Sequence, residues 1–71
     1  MKDIIKFLKD NNINFEILND SKNFASISFE NEKGEYIVDK DLYGYTLNYP
    51  NFNAEFGSEQ YILDLIKLDF I

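Results

Sequence analysis

The chain has 71 residues, 45% of them hydrophobic, with seven lysines against thirteen Asp and Glu for a formal charge of −6. It contains no Cys, His, Arg or Trp. That excludes disulfides, thiolate and imidazole metal sites, and the Cys–His, Ser–His and arginine-clamp arrangements of nucleophilic and phosphoryl-transfer catalysis.

A chain of this length forms one domain over residues 1–71 and buries only about 60% of its unfolded surface. Its core must come from seven Phe and five Tyr, large side chains that bury roughly 150–250 Å² each. Self-association is the other route to stability, so a homodimer stays open.

Asp3 is placed to cap a first helix running to about Asn11, with Ile4, Ile5, Phe7 and Leu8 on its apolar side. Asn11-Asn12 is a natural stop. Ile13 to Ile17 alternates strictly and predicts a strand, followed by a polar loop over 19–23. Ala25, Ile27 and Phe29 predict the inward positions of the next strand. Asn31-Glu32-Lys33-Gly34 then forms a hairpin loop with Gly in the left-handed region, and the return strand runs from Glu35 to Lys40. After a turn or bulge near Lys40-Asp41, alternation places Tyr43, Tyr45, Leu47 and Tyr49 on one strand face, with Pro50 ending the ladder. Residues 51–57 alternate weakly through Phe52, Ala54 and Phe56, as a fifth short strand or an ordered loop. Ser58 caps a last helix, about Glu59 to Asp69, with stripes at Ile62, Leu65, Ile66, Asp69 and at Tyr61, Leu65, Leu68. The predicted fold is α+β: an antiparallel four- to five-stranded meander sheet flanked by an N-terminal and a C-terminal helix, both packed on one face.

Charge is distributed unevenly. Residues 1–29 balance Lys2, Lys6, Lys9 and Lys22 against Asp3, Asp10, Glu16 and Asp20, so the whole −6 falls in residues 30–71. Glu30, Glu32, Glu35, Asp39 and Asp41 are joined there by Glu55, Glu59, Asp64 and Asp69. The plain reading is a solvated surface that keeps a small protein dissolved. The functional reading is an anionic patch that docks on a basic protein surface. For that reading the partner-binding residues are Glu30, Glu32, Glu35, Asp39, Asp41 and Glu55, with Tyr43, Phe52 and Phe56 as aromatic anchors. Tyr43, Tyr45 and Tyr49 form an interface patch if their side of the strand is the open one. They form core if it meets the helices, the better fit because the opposite side offers only Leu42, Gly44, Thr46 and Asn48.

No catalytic residue, metal ligand or cofactor is assigned. Asp39 and Asp41 begin like a calcium loop, but the fifth and twelfth positions hold Tyr43 and Pro50 where the pattern needs Asp or Asn and Glu. The three glycines are isolated, so no phosphate-binding loop forms. Direct nucleic-acid binding is not expected from this charge balance. No stretch approaches the roughly 20 apolar residues of a membrane span, and the N-terminus lacks a signal-peptide core, so a cytoplasmic location is expected. In size, acidity and Asn-, Ile- and Lys-rich composition the chain is similar to small acidic inhibitors of nucleic-acid-handling machines. Phage counter-defence proteins of the anti-CRISPR and DNA-mimic kinds, from low-GC bacterial hosts, belong to that class, and no motif carries the likeness. The expected function is thus a non-enzymatic inhibitor of a basic partner, a nuclease or another nucleic-acid-binding protein. The alternatives are an immunity protein or antitoxin against a basic toxin nuclease, and a self-assembling structural domain.

Overall fold

The computed structural model describes residues 1–51 and 53–70. Helix α1 (Lys2–Asp10) buries Ile4 and Leu8 and flanks them with Ile5 and Phe7. Asp3 does not cap it. Met1 holds the cap position with no side-chain bond, and Asp3 lies in the first turn. The missing acceptor comes instead from across the fold. The Asp3 and Ile4 amides donate to Glu59 Oε2 at 2.9 and 3.2 Å, which also sets a carboxylate against the positive end of the helix dipole. At the other end the Asn11 side-chain amide donates to the Phe7 carbonyl at 2.8 Å. Asn12 then takes a φ of 57°, a left-handed conformation that Asn tolerates.

Five antiparallel strands follow in sequence order: β1 (Phe15–Asp20), β2 (Ala25–Asn31), β3 (Gly34–Asp41), β4 (Gly44–Asn48) and β5 (Glu55–Gly57). The meander and the flanking helices are those the alternation predicted. Strand β1 starts later than expected and runs further, because a bulge between Ile17 and Asn19 lets Asn19 and Asp20 pair with Ser26 and Ala25. The predicted loop shrinks accordingly. It is closed where the Ser21 amide and hydroxyl both donate to the Phe24 carbonyl, at 2.8 and 3.1 Å. Residues 55–57 form the fifth strand on β4. Phe52 lies outside the described residues.

The two inner hairpins share one solution. Asn31 and Asp41 open two-residue turns, each using its side-chain oxygen to accept a backbone amide two residues on, Lys33 and Tyr43, at 2.8 Å. Gly34 and Gly44 close them with φ of 132° and 146°, a region that favours glycine. The second turn overturns one expectation. Tyr43 sits at its tip, 94% exposed, rather than beside Tyr45, Leu47 and Tyr49 on the strand face. The chain reverses at Leu42-Tyr43, so alternation counts only from Gly44 onward.

Residues directly opposite one another share a sheet face. The Ile27–Val38–Leu47 row and the Phe29–Tyr36 pair face the helices and form the core with Ile4, Leu8, Ile62, Leu63 and Ile66. Helix α2 (Glu59–Phe70) is capped by Ser58, whose Oγ accepts the Tyr61 amide at 3.2 Å. Leu63, rather than Leu65, completes its buried arc, and Leu68 stays exposed. Because α2 packs on both α1 and the β4–β5 edge, its apolar arc is wider than either predicted stripe. Its last turn brings Phe70 edge-on to Phe29 and Tyr36, with centroids 5.4 and 5.1 Å away. Phe29 and Tyr36 stack at 5.7 Å.

Candidate functional site

With both helices on one side, the other side of the sheet is left uncovered by the described helices. Register assigns its residues. Glu16, Ser28, Ile37 and Asn48 form one row across β1 to β4. Ser26, Asp39, Thr46 and Phe56 form the next, and Glu30 opposes Glu35 beyond the first. No lysine projects from this face. The only strand lysine, Lys40, pairs with Ala25 and Tyr45 on the helix side. Lys2, Lys6, Lys9 and Lys67 lie on the helices, and Lys33 reaches from its turn to within 3.6 Å of Asp69 in α2. Lys22 lies in the β1–β2 loop. The uncovered face is therefore anionic, while most cations are held in the helical layer.

The predicted acids divide between this face and structural posts. Glu30 and Glu35 are exposed and adjacent, with Glu32 in the turn just beyond. Asp39 lies at the centre of the face but is already engaged. Its Oδ1 accepts the Ser26 hydroxyl at 2.6 Å and its Oδ2 accepts the Asn48 amide at 3.0 Å. Asp41 holds the β3–β4 turn, accepting the Tyr43 and Gly44 amides at 2.8 and 3.1 Å. It lies about 20 Å along β3 from Glu35, so the five acids do not converge on one spot. Glu55 does not belong to the face at all. It opposes Leu47 on the helix side, at the sheet edge, where the Tyr61 hydroxyl donates to it at 3.3 Å. Its negative charge, aided by partial burial, holds the Tyr61 phenol above the ordinary value. Phe56 stands on the uncovered face, 75% exposed, and Tyr43 projects from the turn.

Two more acids in the predicted stripe serve the fold. Glu59 caps α1 and accepts the Tyr45 hydroxyl at 3.5 Å. Asp69 accepts the Tyr36 hydroxyl at 2.7 Å. Burial first, then these carboxylates, push both phenols up from the usual tyrosine range.

Glu16 and Ser28 join the face although the charge asymmetry pointed only to residues 30–71. The sign was present, since Glu16 sits on the wet side of the Ile13–Ile17 alternation, but only register sets it beside Ser28 and Glu30. The side chains of Glu16, Glu30 and Glu35 form no hydrogen bond or ion pair with any described residue. Among the described residues no group of His, Cys, Asp or Glu is placed to hold a metal ion. No described helix is long and apolar enough to cross a membrane.

The fold and face define an α+β meander with one helical layer and one bare, acidic sheet surface. Comparison of the chain with family models, curated proteins and solved structures finds no match.

Proposed function

We propose that the chain is a binding protein without catalysis, whose uncovered sheet face docks on a basic surface of a protein partner. The observation that carries this reading is the one-sided charge: Glu16, Glu30, Glu35 and Asp39 share a face with no lysine. A field of one sign raises association rates and selects partners of the opposite sign. Proteins that handle nucleic acids carry such basic surfaces, so an inhibitor of one, of the counter-defence or DNA-mimic kind, is the partner class this face suits. Phe56, exposed on the same face, supplies an aromatic anchor of the type enriched at interface centres.

The test is capture on the immobilised protein from a low-GC bacterial lysate, at low and high salt, with the Glu16→Gln/Glu30→Gln/Glu35→Gln variant alongside. A nucleic-acid-binding protein held by the parent, released by salt and lost from the variant is the expected result. Equal capture by the variant would overturn the reading.

Self-assembly is the second reading, and one observation favours it. Among the described residues strand β1 has an unpaired edge, with Ile17 and Leu18 about half exposed. The bulge at Leu18 interrupts that edge and works against extended pairing. A mass that rises with concentration and ignores salt would shift the weight to it.

A further inference from the structure

Where β2 outruns β1, beyond the Phe15–Phe29 pair, a cleft of 660 Å³ opens beside the Asn12–Asn14 connection. Glu16, Glu30 and Glu35 line it, together with Ser28, Phe15 and Phe70. The Glu30–Glu35 pair is the first peculiarity. Like charges directly opposite across a ladder destabilise the sheet, and no lysine among the described residues neutralises these two. Ser28 is the second. It is 6% exposed, yet its hydroxyl bonds to no described residue. Its oxygen is not sealed from solvent, and the residue lines the cleft. A cationic donor group entering the cleft would relieve the Glu30–Glu35 repulsion and give the Ser28 hydroxyl a partner.

We infer that this cleft receives an arginine side chain from the partner, its guanidinium set between the Glu30 and Glu35 carboxylates with one N–H donated to Ser28 Oγ. The inference rests on the docking reading above and names the group recognised. Arginine suits the site better than lysine for two reasons. Its planar fork of five donors serves two carboxylates and a hydroxyl together, whereas an ammonium offers three donors around a point charge. The cleft also has aromatic walls in Phe15 and Phe70, and guanidinium stacks on aromatic faces. Glu16, diagonal to Glu30 across Ser28, adds a third negative charge at the mouth.

The experiment is an amide-resolved NMR titration of the full chain with hexa-arginine, hexa-lysine and hexa-citrulline peptides. The expected result is shift changes centred on Glu16, Ser28, Glu30 and Glu35, hexa-arginine binding severalfold tighter than hexa-lysine, and no binding of the neutral peptide. Ser28→Ala should weaken hexa-arginine and leave hexa-lysine unchanged, while Glu30→Gln/Glu35→Gln should weaken both. The parent spectrum retained by each variant shows that it folds, and the Glu variants, on exposed positions, serve if Ser28→Ala does not. If the two cationic peptides bind equally and Ser28→Ala changes neither, the arginine cleft is wrong while the anionic docking face stands. If neither peptide shifts this face at low salt, both readings fall.

Discussion

Several acids that a charge count assigns to a surface patch are structural posts, and single substitutions separate the two roles. Among the described residues, Glu59 supplies the only side-chain oxygen on the first amides of α1. Glu59→Ala should cost about 1 kcal/mol, the usual worth of a cap, and Glu59→Gln less, since an amide oxygen still accepts but carries no charge for the dipole. Denaturant midpoints with helical ellipticity read both. Tyr36 and Asp69 form the post at the other end. Tyr36→Phe strips the Asp69 carboxylate of its 2.7 Å donor and should destabilise by about 1–3 kcal/mol. The same pair sets an alkaline limit. Tyr36 is buried and Tyr45 partly buried, and both neighbour carboxylates, so their phenols hold protons above the ordinary value of 10.0. In that range the unfolded chain binds fewer protons than the native state, so stability falls as pH rises through and beyond it. Unfolding midpoints should drop there, and Tyr36→Phe should flatten the drop. An unchanged slope in the variant would show that Tyr36 does not cause it.

At the scale of elements, the hairpins carry the topology. Gly34 holds a φ of 132°, and a Cβ built there would lie 2.8 Å from the Pro50 Cβ. Strain in the backbone and a clash with a rigid ring act together, so Gly34→Ala should cost at least about 2 kcal/mol. Glu32→Ala, two residues earlier in the same turn and solvent-exposed, should be within about 0.5 kcal/mol of neutral. Thermal melts of the two variants make the comparison. A neutral Gly34→Ala would mean that the turn relaxes and that Pro50 yields.

Across the whole molecule, the separation of charge between layers ties stability to binding. The unbalanced Glu30–Glu35 pair weakens the free protein, so Glu35→Gln should stabilise it by about 0.2–1 kcal/mol while weakening association with a basic partner. Opposite signs in the two measurements, a denaturation curve and a binding isotherm, are the signature of a residue retained for contact. If Glu35→Gln destabilised the chain, the carboxylate would be serving the fold and the docking face would lose a member.

Residue order alone determined a good deal here. The α+β meander, the Gly34 turn, the Ser58 cap and the inward Ala25, Ile27 and Phe29 follow from periodicity and turn chemistry, which act within a few residues of chain. It also marked the absence of His, Cys and Arg, and with it the kinds of chemistry excluded. The tertiary structure decided what depends on pairing between distant residues. It separated Glu59, Asp69 and Glu55 from the acidic face and bonded Asp39 within the sheet. It also brought Glu16, distant along the chain from residues 30–41, beside Ser28 and Glu30. The physical reason is that a strand's pattern tells which residues share a side, while register, set by turns and the Leu18 bulge, tells which acids become neighbours.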